Sequence, residues 1–223
     1  MSALLCCVYA CAMQGDTYFI DTPTAEVLPL RDLGIKSRFF SGGGLLTYFD
    51  FSVINRFSIG ASFTFEHLIG ENDQNIKALV PALQLKYRFF DGSSVLPAFA
   101  LGFDNQGFGY DHDDDEYIHK AKGVYIAATK EILFSGLVFN GGGNVTVDGF
   151  EFDKLGAFTA LAYNIQDTVN LMAEWDNIHT IKYSRVNGGI RVYVTENFAI
   201  DFALRNFNAK TERIAQLKYS CSL

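Results

Sequence analysis

The sequence contains no apolar run of about twenty residues, the length that a membrane-spanning helix needs. It also has no excess of basic residues, since 18 lysines and arginines stand against 25 aspartates and glutamates, with a formal net charge of −7. The first absence excludes a transmembrane helix, and the second argues against nucleic acid as a partner. No linker divides the 223 residues, so we expect a single domain.

Cysteine is scarce outside the beginning of the chain. Three of the four cysteines lie in residues 1–12, an apolar segment that ends Ala-Cys-Ala and predicts a signal peptide cleaved before Met13. The segment lacks the basic residues that begin such signals, which indicates a truncated start. The alternatives are a buried or frayed N-terminus and a lipoprotein signal. After cleavage Cys221 would be the single thiol, which excludes an intramolecular disulfide and a cysteine zinc site.

Aromatic residues and glycine are abundant, with 21 Phe, 11 Tyr and 20 Gly. In residues 57–66 every odd position is apolar and every even position is small or polar, which is typical of a strand with two unlike faces. The same alternation recurs along the chain and predicts about twelve strands, near 33–40, 45–53, 57–66, 78–89, 95–103, 123–131, 137–145, 155–164, 169–176, 185–194, 198–205 and 216–223.

The chemistry of the two faces distinguishes lipid from water as the outer environment. A soluble sandwich, which is the alternative, would place long charged side chains on its outer face, whereas the polar face here is mostly Gly, Ala, Ser and Asn. Bulky apolar residues therefore predict a lipid-facing exterior. These are Phe57, Ile59, Phe63, Phe65, Leu83, Leu85, Phe99, Leu101, Ile190, Val192, Phe202 and Leu204.

We therefore predict an all-β fold, a closed antiparallel up-and-down transmembrane barrel of about 12 strands over residues 33–223, in the bacterial outer membrane. Residues 13–32 are interpreted as an N-terminal periplasmic segment. The alternation of short and long connections would place the short turns and both termini on the periplasmic side. Pro81 and Pro97 lack a backbone donor, so each predicts a bulge, a strand end or a local gap.

Charged residues of both signs fall on the predicted inner face. Such a mixture favours a salt-bridged interior over a selectivity filter, and a lumen that conducts weakly or not at all. The lumen-facing charged residues are Lys36, Arg38, Asp50, Glu66, Lys86, Arg88, Glu131, Glu174, Arg185, Arg191, Asp201, Arg205 and Lys218.

Two stretches resemble a known family. Residues 21–25, Asp-Thr-Pro-Thr-Ala, are followed by Val27-Leu28-Pro29, and residues 97–109 read PAFALGFDNQGFG. Both are similar to bacterial outer-membrane barrels related to the YjbH-like family associated with exopolysaccharide. The resemblance implies an outer-membrane barrel with a link to exopolysaccharide export, and it brings no catalytic residue. The C-terminus also resembles the strand signal read by barrel-assembly machinery, although it ends in Leu223 and not in an aromatic residue.

Other candidate sites are weak. Asp111, Asp113 and Asp115 could offer oxygen ligands to a divalent cation, but the spacing of a calcium loop is missing, and a solvated acidic loop is the favoured interpretation. The glycines at 141–143 lack the lysine and the helix of a phosphate-binding loop, and so indicate close strand packing. No catalytic trio is apparent, so we expect no enzyme and no cofactor.

Two functions from different classes remain open. One is a structural or partner-binding barrel of the envelope, linked to exopolysaccharide export as the resemblance implies. The other is a small passive pore. The partners expected are outer-membrane lipid, the barrel-assembly machinery and envelope polysaccharide or export proteins.

Overall fold

The computed structural model describes residues 16–70, 75–148, 151–179 and 184–223. The predicted signal peptide, residues 1–12, lies outside the described residues. Among the described residues, no helix is long and apolar enough to cross a membrane.

The described chain forms fifteen strands. In chain order they are β1 (Asp32–Phe40), β2 (Gly44–Ile54), β3 (Phe57–Glu66), β4 (Lys77–Ala78), β5 (Ala82–Phe90), β6 (Ala98–Asp104), β7 (Phe108–Asp111), β8 (Glu116–His119), β9 (Ala121–Glu131), β10 (Leu137–Asp148), β11 (Glu151–Ile165), β12 (Val169–Asp176), β13 (Arg185–Thr195), β14 (Phe198–Arg205) and β15 (Glu212–Ser222). All except β4, β7 and β8 belong to one barrel wall, in which each strand pairs with the strands before and after it.

The wall closes through the first and last strands. Ile35 of β1 lies opposite Phe49 of β2 on one side and opposite Tyr219 of β15 on the other. Closure leaves no free edge, so every wall strand pairs its backbone groups within the barrel, as a hydrocarbon environment requires. The twelve-stranded antiparallel barrel predicted from the sequence is confirmed.

The outer face of the wall is apolar. The predicted lipid-facing residues all lie there, alternating with buried inner residues; Phe202 is 60% exposed and Leu101 is 49% exposed. Exposing so many apolar side chains to water would cost free energy, whereas contact with lipid would not. The closed wall and its apolar outer face are those of a barrel that spans a lipid bilayer, as the sequence predicts.

Two prolines mark the points where the observed strands are shorter than predicted. The strand predicted over 78–89 is interrupted, because Pro81 directly precedes β5 and only Lys77–Ala78 pairs upstream of it. The strand predicted from residue 95 begins at Ala98, directly after Pro97. Proline cannot donate to a ladder, and of the bulge, strand end or local gap expected at each proline the structure shows a strand end.

The two rims of the barrel differ. One, the short-turn rim, carries turns such as 55–56 and 196–197 and the start of β1; the other, the long-loop rim, carries residues 105–120. Those residues contain the acidic stretch read as a loop, but β7 and β8 pair within it, with Phe108 opposite His119. We call residues 105–120 the mouth hairpin. That the short-turn rim faces the periplasm stays a prediction.

The lipid-facing assignment predicts a cost that depends on depth. Phe202 lies near the middle of β14, so Phe202→Arg should lower the free energy of unfolding by about 2–4 kcal/mol, whereas Val194→Arg, near the end of β13, should cost about 0–1 kcal/mol. Urea titration of the protein in lipid vesicles, followed by the fluorescence of Trp175, measures both. Equal costs would contradict the assignment.

Candidate functional site

The lumen contains a segment that does not belong to the wall. Residues Asp16–Glu26, which we call the plug, lie inside the barrel, and Phe19 and Thr22 are completely buried. The sequence interpretation placed residues 13–32 in the periplasm, whereas residues 16–26 enter the lumen in the structure. The physical reason is that its acidic and backbone groups find partners on the inner face.

The plug holds its own shape. Thr24 N donates to Thr17 O at 3.0 Å and Phe19 N donates to Thr22 O at 3.1 Å, so the segment folds back on itself as a tight hairpin. Tyr18 and Pro23 form a bridge inside it. Among the described residues it joins no wall strand through a β-ladder. It is therefore a compact element attached to the wall through side chains.

A carboxylate of the wall anchors the tip of the plug. Glu174 Oε1 accepts hydrogen bonds from the backbone N of Ile20 at 2.8 Å and of Thr22 at 3.0 Å, and from the Thr22 hydroxyl at 2.7 Å. Its Oε2 accepts from Asp21 N at 3.0 Å and from Asn187 Nδ2 at 3.0 Å. Successive backbone N–H groups that converge on one anion form a strong site, because each bond is charge-assisted.

A carboxylate of the plug, Asp21, binds two arginines of the wall next to the Glu174 anchor. Asp21 Oδ1 lies 2.8 Å from Arg38 Nη1 and its Oδ2 lies 2.7 Å from Arg205 Nε. Arg38 also donates to Ile20 O at 2.6 Å. Burial would raise the pKa of Asp21, but Arg205 and Arg38 outweigh it and hold the pKa well below the usual value.

A second plug carboxylate lies nearer the short-turn rim. Asp16 Oδ2 is 2.5 Å from Arg191 Nη1 and accepts from the Tyr193 hydroxyl at 2.5 Å, while Oδ1 pairs with Lys218. Arg191 is itself fixed by Asp201, 2.7 Å from its Nε. Burial raises the pKa of Asp16, yet Arg191 and Lys218 prevail and lower it to about 2.

The returning arm of the plug meets the opposite wall. Glu26 Oε2 lies 2.6 Å from Arg88 Nη1, and Lys86 Nζ donates to Thr17 O at 2.6 Å. Ala25 N donates to Thr129 Oγ1 at 2.8 Å. For Glu26 burial outweighs Arg88 and Lys86, so its pKa is raised. The plug is therefore held on every side of the lumen.

One aromatic residue fills the space between two lysines. The Tyr18 ring centroid is 4.4 Å from Lys36 Nζ and 4.7 Å from Lys86 Nζ, and the Tyr18 hydroxyl donates to Asp104 Oδ2 at 2.7 Å. Phe19 and Ile20 join a buried apolar cluster in which half of the wall residues are alanine: Val138, Ala160, Ala162, Met172, Ala203 and Ile214. Small inner side chains thus make room for the plug.

The mouth hairpin covers the plug from the long-loop rim. The Phe108 ring centroid lies 5.0 Å from Arg38 Cζ and 4.4 Å from Arg205 Cζ. Gln106 Oε1 accepts from Ser62 Oγ at 2.7 Å, and Gln106 N donates to Asp104 Oδ1 at 2.9 Å. The hairpin therefore reaches into the barrel and contacts wall residues that also bind the plug, namely Arg38, Arg205 and Asp104.

Little space remains around the middle of the plug. Two cavities beside Tyr18 measure about 10 Å³ each, room for a single water. A larger cavity of about 230 Å³ opens at the short-turn rim, between Asp16, Lys36 and Lys218. A further cavity, of about 520 Å³, opens at the long-loop rim beside His119 and Arg185. Among the described residues the lumen is thus occluded near its centre and open towards both rims.

The charged residues predicted to face the lumen fall into four groups. Eight are buried in the lumen: Lys36, Arg38, Lys86, Glu174, Arg185, Arg191, Asp201 and Arg205. Asp50, Arg88 and Lys218 are partly buried there, and Glu66 bonds His112 of the mouth hairpin at 2.6 Å. Glu131 is an exception, because it is exposed at a short turn and accepts from Gly136 N.

Sequence reasoning missed several residues of the site. Asp104, Lys122 and Asp176 lie on inner faces at strand ends, where the alternation could have identified them, and Asp176 pairs with Arg185 at 2.8 Å and with Lys122. Nothing in the periodicity indicated the plug, since Asp16 and Asp21 precede the first strand. Among the charged residues that were predicted to face the lumen, Arg191 and Asp201 form an ion pair with each other.

The weak candidate sites have local structural roles. Asp111 Oδ1 accepts from Asp113 N at 2.9 Å, and Asp115 Oδ1 accepts from the Tyr110 hydroxyl at 2.5 Å, both within the mouth hairpin. No cluster of three or more possible metal ligands occurs in the described part of the chain. At Gly142 an added Cβ would lie 2.4 Å from the Phe158 ring, so close packing explains this glycine.

Solved structures with the same architecture are porins. A KdgM porin matches with a TM-score of 0.57 and 10% identity over 84% of this chain and 98% of its own. The chain shares its fold with outer-membrane porins. The KdgM porin in complex with disordered oligogalacturonate matches with a TM-score of 0.57, 9% identity and the same coverage. A NanC porin matches with a TM-score of 0.50 and 8% identity over 86% of this chain and 100% of its own.

No family model and no curated protein sequence matches the chain. Membership of the YjbH-like family is therefore not shown, and the outer-membrane barrel is the part of the resemblance that the structural neighbours support.

The Glu174 anchor predicts how firmly the plug is held. Glu174→Gln replaces an oxygen by an NH2 group that faces backbone donors. Because hydrogen bonds to a charged group contribute about 1.5–3 kcal/mol, the free energy that favours the plugged over the released state should fall by about 2 kcal/mol. The labelling rate of a cysteine introduced at Ala25, which is completely buried, with the native cysteines replaced by serine, measures release.

Asp176→Asn is the matched control, because Asp176 lies two residues further along β12 and pairs with Lys122 and Arg185 of the wall. It should leave the labelling rate unchanged. Equal rates in the Glu174 and Asp176 variants would contradict the anchor.

Acidification should release the plug only at very low pH. The pKa of Asp16 is lowered from 3.8 to about 2, so its contribution to plug retention is complete above about pH 4 and is lost as pH falls towards 2. The lowered pKa of Asp21 acts in the same direction, while the raised pKa of Glu26 means that its protonation favours the plugged state.

The same labelling assay at pH 7, 5 and 3 measures this dependence. The rate, corrected for the intrinsic reactivity of the thiol, should be equal at pH 7 and pH 5. Asp16→Asn should remove most of any rise at pH 3. A plug that is released by pH 5 would refute the assignment.

Proposed function

We propose that the protein is an outer-membrane channel whose lumen is closed by its own N-terminal plug. The observation that carries the proposal is that a separate segment, and not the side chains of the wall, fills the middle of the lumen. Because the plug joins no wall strand through a ladder, it can leave without any break in the barrel. A gate that moves inside an intact wall is thus physically available.

The size of the barrel supports a channel. Eight strands make a barrel that side chains fill, and sixteen enclose an aqueous passage, so with twelve strands the inner side chains decide. The inner face beside the plug is built from small residues such as Ala98, Ala100 and Gly189. Removal of the plug would leave a polar lumen with room for water.

The charge of the wall supports a preference for anions. The buried cations of the wall outnumber its buried acids: Lys36, Arg38, Lys86, Lys122, Arg185, Arg191 and Arg205 stand against Asp104, Glu174, Asp176 and Asp201. The plug supplies three acidic residues and no basic residue. With the plug displaced, the lumen would carry excess positive charge and attract anions.

An acidic oligosaccharide is the solute class that we propose. Its carboxylates would replace those of the plug at Arg38, Arg205 and Arg191. The KdgM porin that shares the fold has been solved with oligogalacturonate, an acidic sugar chain, which is consistent with this chemistry. The sequence resemblance implied exopolysaccharide export by a structural or partner-binding barrel instead. The comparisons give that role no support, and the porin alternative fits better.

A planar bilayer tests the channel directly. The full chain should conduct little, whereas a variant that lacks residues 16–26 should show large, steady unitary currents, and its reversal potential in a KCl gradient should indicate anion selectivity. A heat-dependent mobility shift on electrophoresis confirms that each variant is a folded barrel.

The opposite results would decide against the proposal. Large currents from the full chain would mean that the plug does not close the lumen. A folded deletion variant that does not conduct would favour the purely structural role.

A further inference from the structure

We propose that the plug and the mouth hairpin form one coupled gate, so that displacement of the hairpin at the long-loop rim releases the plug. The inference rests on the proposed channel and concerns its regulation. It follows from two sets of wall groups that each hold both elements at once.

The first shared set is the Arg38–Arg205 pair. Asp21 of the plug binds one end of both guanidinium groups, at 2.8 and 2.7 Å, and the Phe108 ring of the mouth hairpin lies against both, at 5.0 and 4.4 Å. Arg38 and Arg205 are 1% and 2% exposed. Their burial between a carboxylate and an aromatic face requires both elements to be in place.

The second shared group is the carboxylate of Asp104, at the end of β6. Its Oδ2 accepts from the Tyr18 hydroxyl of the plug at 2.7 Å, and its Oδ1 accepts from Gln106 N at the base of the hairpin at 2.9 Å. Gln84 Nε2 also donates to Oδ1 at 3.1 Å. Movement of the hairpin base therefore disturbs the carboxylate to which the plug is bonded.

These contacts give the coupling a physical cause. The Phe108 ring keeps water from the guanidinium groups, and an ion pair in a dry environment is stronger than one exposed to water. When the ring leaves, water competes for Arg38 and Arg205, and their hold on Asp21 weakens. Coupling is reciprocal, so loss of the plug should also loosen the hairpin.

A double-mutant cycle tests the proposal in the full chain. The probe is the labelling rate of the Ala25→Cys variant, with the native cysteines replaced by serine. The changes are Phe108→Leu and Asp21→Asn, alone and together. Leucine keeps apolar volume but removes the aromatic face. The matched control is Tyr110→Leu, because Tyr110 packs against His112 and Tyr117 within the same hairpin.

Phe108→Leu should raise the labelling rate by about fivefold or more, the lower end of typical coupling, whereas Tyr110→Leu should change it by less than about twofold. In the Asp21→Asn background the effect of Phe108→Leu on the labelling rate should be less than half of its effect when Asp21 is present. An effect of Phe108→Leu that is absent, or equal in both backgrounds, would overturn the coupling.

The labelling readout separates this inference from the channel proposal. A coupled cycle in a barrel that fails to conduct even without residues 16–26 would refute the channel and leave the coupled movement in place. Conduction after deletion, with an additive cycle, would refute the coupling alone.

Discussion

A transmembrane barrel must satisfy the charges of its wall within its own lumen, because lipid surrounds the outer face. In this protein the buried cations of the wall exceed its buried acids, so pairing across the wall alone cannot neutralise them. Wall pairs such as Arg191 with Asp201 account for part of the charge, and Asp16, Asp21 and Glu26 of the plug supply further acids. The position of the plug follows from this requirement, since its carboxylates reach different sides of the wall.

The plug and the wall each contribute both a negative and a positive group to the contacts between them. The wall presents arginines to the carboxylate of Asp21, and one residue away the backbone N–H groups of the plug present their positive ends to Glu174. Removal of one partner from such a buried arrangement leaves its counterpart unpaired, which costs more than the net contribution of the pair to stability. Reversed polarity also fixes orientation, because a plug turned end for end would place like charges together.

The closed barrel was predictable from the sequence, whereas the plug that fills its lumen was not. Alternation in residues such as Phe57–Glu66 depends on the period of a strand, and Pro81 and Pro97 mark strand ends through the absence of a donor, so both signals are local. The plug has no period, and its partners lie far along the chain; Ile20, for example, is bonded to Glu174. A sequence gives no measure of such distances. The mouth hairpin was read as an acidic loop because the apolar Phe108 makes no pattern with its neighbours.

The occlusion combines many polar contacts with few apolar ones, which distinguishes a removable plug from a core. An apolar core resists water, whereas ion pairs and charge-assisted hydrogen bonds can be exchanged for equivalent bonds to a competing anion. Phe19, Ile20 and Ala25 bring the plug into apolar clusters, and its other attachments named above are mainly polar. A closed state of this kind is stable against water and sensitive to a solute that offers carboxylates in sequence. The inner face that binds the plug therefore has the chemistry to bind what replaces it.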